Sequence, residues 1–163
     1  MERKDKTVRE CTLEQHYLIF PGNLNGAGRL FGGTLLAWID ELAGIVGKRF
    51  SQTNITTVYI DNLHFHKGAY LDDTVVLVGK PTFVGTTSME VKVLTYVEHM
   101  DMTRELINEA YLIMVALDEN DKPTKMPHLI LETEEDRTEW AAGLHRREVR
   151  EANAWPPKES KIE

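Results

Sequence analysis

"GRLFGGTLLAWIDELAG" occupies Gly28–Gly44. A glycine pair opens it, a nearly all-apolar run follows, and one aspartate, Asp40, stands in the middle. At about 100° per residue, Gly33, Ala37, Asp40, Gly44 and Gly47 fall within a band of roughly 80°, at helical spacings of four, three, four and three. Leu35, Ile39, Leu42 and Val46 lie on the opposite side. The pattern predicts a helix over Gly33–Phe50 whose bulky face seeks a sheet and whose other face carries small residues and the carboxylate. Burying a lone carboxylate is costly, so such an aspartate is either well partnered or used as an acid or base. A small stripe equally makes a helix-packing surface, with Asp40 bonded to a backbone or hydroxyl group. The helix alone leaves both readings open.

The glycine pair adds a second feature. A helix N-terminus presents unpaired N–H groups and the positive end of the dipole. Glycine there lets a ligand oxygen approach those donors, which can stabilise charge developing on a carbonyl oxygen under attack. Asp40 lies about 10 Å further along the axis. Within one chain that fit is loose, so loops or a second subunit are expected to complete it.

Outward from the helix, "CTLEQHYLIFP" (Cys11–Pro21) reads as a strand entering a Gly/Asn-rich loop, Gly22–Gly28. Four strand-like stretches follow: Thr56–His66, Asp73–Val84, Thr87–His99 and Glu105–Asp118. Met89, Val91 and Val93 alternate with Glu90 and Lys92, as in a half-buried strand. "DENDKP" (Asp118–Pro123) has turn chemistry. From Thr133, a candidate N-cap, "TEEDRTEWAAGLHRREVRE" reads as a solvated helix, and the tail after Asn153 as loose. One helix followed by successive strands without βαβ alternation predicts an α+β fold, the sheet curling round the apolar helix.

The 163 residues suffice for one domain with a real core. Hydrophobic residues make up 42% and the net charge is −7, which argues against a dedicated nucleic-acid binder or a protein held on an anionic membrane. The single cysteine, Cys11, permits no intrachain disulfide, and the N-terminus has no apolar core segment, so a cytoplasmic protein is expected. His64 and His66 share a strand face, but His16, His99, His128 and His145 are scattered. No metal site is expected, and these read as surface or interface histidines. There is no G-x-S-x-G, Walker A or dinucleotide fingerprint. Tyr59, Tyr96 and Tyr111 read as core or sheet pairs, and "HRREVRE" (His145–Glu151) as charged helix surface.

"PGNLNGAGRLFGGTLLAWID" (Pro21–Asp40) resembles the signature of the hotdog-fold acyl-CoA thioesterases, in the branch of cytosolic and bacterial acyl-CoA hydrolases. The residues that carry the resemblance are Pro21, Asn25, Gly28, Leu30, Phe31, Gly32, Gly33 and Asp40. "GTTS" (Gly85–Ser88) and "DENDKPTKMP" (Asp118–Pro127) stand where that family places a turn and a closing loop. The resemblance covers roughly residues 10–130. It implies a long helix wrapped by a curved antiparallel sheet over residues 1–130, with a charged C-terminal helix and tail over 131–163. It also implies dimers with joined sheets, assembled as trimers of dimers, whose sites lie at the dimer interface. By carry-over Asp40 is general base or nucleophile, Asn25 orients the water or thioester, and Gly32 and Gly33 form the oxyanion end.

The substrate implied is acyl-CoA, with coenzyme A entering as part of it and no separate cofactor. The family often has an acid where this chain has Asn23. A basic-proline pair is replaced here by "FHKGA" (Phe65–Ala69), which leaves Lys67 as the candidate contact for the coenzyme A phosphates. Thr86, Thr87 and Ser88 are candidates for hydrogen bonds to the pantetheine or pyrophosphate. A hydratase acting on the acyl β-carbon fits less well, since no histidine sits in the Asn25–Asp40 motif. A non-hydrolysing acyl-CoA-binding module is the alternative outside catalysis.

Overall fold

The structure, a computed structural model, describes residues 3–153 apart from the side chain of Asn62. In chain order the elements are β1 (Lys6–Thr7), α1 (Val8–Cys11), β2 (Leu13–Leu18), a 3-10 turn (Pro21–Asn23) and α2 (Gly32–Ser51). There follow β3 (Asn54–Phe65), β4 (Thr74–Val84), β5 (Ser88–Glu98), β6 (Arg104–Leu117), β7 (Leu129–Ile130) and α3 (Glu134–Ala152). Five strands form an antiparallel sheet in the order β2-β4-β5-β6-β3, and β1 pairs with β7 in a small parallel ladder. The sheet wraps α2, the hotdog arrangement that the resemblance implies.

Why α2 becomes the core is visible in its faces. Leu35, Ile39, Leu42, Val46 and Phe50 are buried against the sheet, and each such side chain is worth about 1.5–3 kcal/mol of transfer free energy. Two glycines let the layers approach. A Cβ on Gly47 would stand 2.6 Å from Ile55 Cδ1, and one on Gly79 of β4 would stand 3.0 Å from Leu42 Cγ. Register shifts between Thr57 and Tyr59, Asp61 and His64, Pro81 and Phe83, and Thr95 and Tyr96 add the local bends that let long strands curl.

Two expectations change. The strand expected over Cys11–Pro21 is shorter: Cys11 closes a helical turn, Val8–Cys11, with a Thr7–Glu10 capping box, and β2 spans only Leu13–Leu18. The tyrosines fall as core or sheet pairs: Tyr59 is half exposed on β3 opposite Ile113 of β6, and Tyr111 is buried. The second change concerns α3. Thr133 does cap it, but "HRREVRE" is not simply solvated surface. Arg146 donates from Nε and Nη2 to the fully buried Glu90 at 3.1 and 2.8 Å, and Arg150 reaches Asp61 at 3.2 Å. Lys92 pairs with Glu139, and Trp140 lies on Phe83. Burial pulls the Lys92 ammonium down, but hydrogen bonds to Glu139 and Tyr111 outweigh it and leave the group above its ordinary value. The helix is therefore pinned to the sheet face opposite α2. The expectation of a loose tail falls outside the described residues.

Candidate active site

Asp40 is exposed in the single chain, so the expected burial is not what the fold provides. The small stripe divides instead. Its C-terminal end, at Gly47, is a packing surface, whereas Gly33, Ala37 and Asp40 face outward. The carboxylate is nonetheless held: Thr57 Oγ1 of β3 donates to Asp40 Oδ1 at 2.7 Å. Sequence reasoning missed Thr57, since nothing in "NITTVYID" sets one hydroxyl apart until β3 is laid beside α2.

The N-terminus of α2 is open. Phe31, its N-cap, makes no side-chain cap bond, whereas Thr7 and Thr133 close α1 and α3 with hydroxyls. The N–H groups of the first turn thus remain available, as the glycine pair predicts. The two glycines differ. A Cβ at Gly33 would meet the Phe31 ring at 2.6 Å, while at Gly32 it would meet only Phe65 Cζ at 3.6 Å. Phe31 curls over Gly33, and Gly32 is the freer of the pair.

Asn25 belongs to the loop before the helix, and its side-chain oxygen is committed locally. Oδ1 accepts from the N–H groups of Ala27 at 2.9 Å and Arg29 at 3.2 Å. This leaves the Nδ2 hydrogens to act on a ligand. Asn23, where the family often has an acid, also builds the loop, accepting from Phe20 and Phe31 N–H groups. No hydrogen bond joins Asn25 to Asp40 within the chain.

The remaining candidates lie apart. Lys67 is ion-paired with Glu105 at the surface. Thr86 and Thr87 form the β4–β5 turn and Ser88 opens β5, with Gly85 N–H donating to Ser88 O at 2.8 Å. The turn's carbonyls are also used: Thr87 O accepts from Ala116 and Thr86 O from Met126. Cys11 is buried, and burial pushes its thiol up, away from nucleophilic use. The rings of His64 and His66 are stacked 6.2 Å apart on β3. Among the described residues, no group of three or more His, Cys, Asp or Glu is placed to hold a metal ion. No helix among them is long and apolar enough to cross a membrane.

Comparison with known proteins gives a consistent picture. A family model described as thioesterase superfamily matches residues 27–102. An uncharacterized acyl-CoA thioester hydrolase of Bacillus subtilis is 39% identical over 136 residues, covering 83% of this chain and 76% of that protein. The cytosolic acyl coenzyme A thioester hydrolase of Rattus norvegicus is 30% identical, but the chain spans only 35% of its length. Among solved structures, an acyl-CoA hydrolase of Staphylococcus aureus in complex with butyryl coenzyme A and coenzyme A superposes with a TM-score of 0.87 at 29% identity. That match covers 92% of each chain. An apo-hexameric acyl-CoA thioesterase superposes with a TM-score of 0.88 at 32% identity, covering 94% of this chain and 99% of the other. The Staphylococcus aureus enzyme is also known with alanine in place of one aspartate, one asparagine and one threonine.

Proposed function

Because the chain belongs to the acyl-CoA thioester hydrolases of the thioesterase superfamily, we propose that it hydrolyses acyl-CoA to a carboxylic acid and coenzyme A. Asp40 is the base. The observation that carries this reading is the Asp40–Thr57 hydrogen bond, which fixes an outward-facing carboxylate on the same helix as an uncapped N-terminus. In the Staphylococcus aureus enzyme the replaced asparagine precedes the aspartate by 15 residues and the threonine follows it by 17, the intervals between Asn25, Asp40 and Thr57.

Asp40 takes a proton from a water as the water oxygen attacks the thioester carbon. The oxyanion forms against the N–H groups at Gly32 and Gly33. Collapse breaks the C–S bond, and the proton held by Asp40 passes to the departing sulfur. Asn25 Nδ2 orients the water or the thioester oxygen.

The active unit is a homodimer with shared sites, further assembled as a trimer of dimers. Support comes from β3, a 12-residue edge strand with Val58 and Tyr59 more than half exposed. Such an edge is a template for pairing with another copy. The second chain brings its Asn25 to the first chain's Asp40. The test is release of free thiol from a panel of acyl-CoAs, from acetyl to palmitoyl. Release from at least one of them is expected; binding without release from any would leave a non-hydrolysing acyl-CoA-binding module.

A further inference from the structure

The rings of Phe31 and Phe65 stand at the open end of α2, both more than half exposed. Phe31 lies across Gly33, and Phe65 faces Gly32, its Cζ 3.6 Å from the position a Cβ there would take. That separation is ordinary contact between carbons. The space between the Gly32 backbone and the ring is therefore one carbon deep. It admits an oxygen or a single methylene beside the first-turn N–H groups, and nothing wider.

Phe65 is held there by its neighbours in the chain. β3 has an extra residue between Asp61 and His64, where its register against β6 shifts, and such bulges re-aim the side chains beside them. Beyond the bulge the backbone is fixed on both sides of Phe65. Asn108 Nδ2 of β6 donates to the His64 carbonyl at 2.7 Å, and the His66 N–H donates to the Ile107 carbonyl at 2.8 Å. Asn108 stands directly opposite Phe65, on the sheet face turned to α2, in line with the buried Ala110, Leu112 and Met114. It is fully buried, and among the described residues its Oδ1 has no partner. An amide in that apolar row costs stability, and leucine would fill the place without the cost. Among the described residues, the one bond that the Asn108 side chain supplies is to His64.

We propose that Phe65 is a specificity-determining residue for the acyl group, and that Asn108 is the positioning residue that aims it. The inference rests on the thioesterase reading, which puts the thioester oxygen on the N–H groups at Gly32 and Gly33. The acyl α-carbon is two bonds from that oxygen and so lies against the Phe65 ring. A straight chain presents a single methylene there and passes. A methyl branch on the α-carbon brings a second carbon into a space one carbon deep. It either strikes the ring or lifts the oxygen off its donors, and both outcomes slow the attack. The substrate class is therefore acyl-CoA unbranched at the α-carbon.

The test compares n-butyryl-CoA with isobutyryl-CoA, isomers that differ only in the branch. The full chain is assayed by thiol release, and the quantity read is the ratio of the two kcat/KM values, which does not depend on the fraction of protein that is folded. The parent should prefer n-butyryl-CoA about tenfold or more, within the range by which a pocket discriminates one methyl group. Phe65→Ala should lower that ratio about fivefold or more, chiefly by a gain on isobutyryl-CoA. Asn108→Ala should lower the ratio too, and should lower it no further in a chain that already carries Phe65→Ala, since it acts through that ring. Should Asn108→Ala not fold, Asn108→Leu removes the same bond and keeps the volume. An Asn108 that served folding alone would reduce both activities together and leave the ratio unmoved, which would overturn its positioning role. A parent ratio near one, or an unchanged ratio in Phe65→Ala, would overturn the specificity assignment. If neither thioester is cleaved, the hydrolase reading fails, and the ratio of calorimetric dissociation constants for the two acyl-CoAs judges Phe65 by the same limits. A parent that binds neither overturns both readings.

Discussion

Asp40 and Thr57 make the smallest unit that can be tested. Asp40→Asn keeps the shape of the side chain and removes the base, so the variant should fold and assemble normally. Its turnover should fall by about 10²–10⁴-fold, the usual contribution of a positioned acid–base group. Retention of more than about a tenth of the parent rate, measured by thiol release, would remove Asp40 from the base role. Thr57→Val deletes the hydroxyl that donates to Asp40 Oδ1 at 2.7 Å while keeping a β-branched strand residue. The bond is exposed, so its loss should change the melting temperature little, while a base no longer held in place can cost up to about a hundredfold, so kcat should drop about ten- to a hundredfold. An unchanged kcat would reduce Thr57 to a structural tie between β3 and α2.

At the level of elements, the open N-terminus of α2 and the pinned α3 each make a prediction. Gly33 is a poor probe of the oxyanion role, because an added methyl must first push aside the Phe31 ring at 2.6 Å. Gly32 is the better one, its nearest neighbour being Phe65 at 3.6 Å. Alanine is the better helix former by up to about 1 kcal/mol, so Gly32→Ala should melt no lower than the parent. If a thioester oxygen docks there, turnover should nevertheless fall, by up to the roughly 10²–10³-fold that one lost oxyanion donor costs. Near-normal turnover in the folded variant would mean that this glycine serves only the chain. For α3, Arg146→Ala strips the bidentate partner from buried Glu90 and leaves it with Thr82 and the longer Arg150 contact. Leaving a buried charge short of its partner costs about 3–5 kcal/mol, and the low end is expected here. Glu90→Gln in the same chain should recover part of it, as read by denaturant melts; no loss in Arg146→Ala would make the ion network ornamental.

At the level of the whole molecule, the question is whether one chain owns a complete site. Asn25 and Asp40 share no bond within it, and β3 offers a long, partly apolar edge to a second copy. Two inactive proteins, Asn25→Ala and Asp40→Asn, should therefore regain activity when mixed under subunit exchange, since some dimers then carry one intact site. Recovery should approach a quarter of the parent rate at equal mixing, because half the dimers are mixed and each holds one of two sites. Mixed dimers shown to form but lacking activity would place both residues in the same chain's site.

What could be read in the sequence was local. The 3.6-residue period of Leu35, Ile39, Leu42 and Val46 determined the core helix, the alternation around Met89–Val93 determined a half-buried strand, and Gly32–Gly33 marked a helix start without a cap. These follow from backbone geometry and the spacing of apolar groups, which a chain carries before it folds. Other features joined residues far apart in the chain, and only the tertiary structure decided them. Asp40 finds Thr57 because β3 crosses α2, and Lys67 is engaged because Glu105 stands on the neighbouring strand. Arg146 and Arg150 turn inward because Glu90 is buried beneath them. A charge pattern shows which side chains seek partners, but not which partners the sheet's register brings within about 3 Å, the reach of a hydrogen bond.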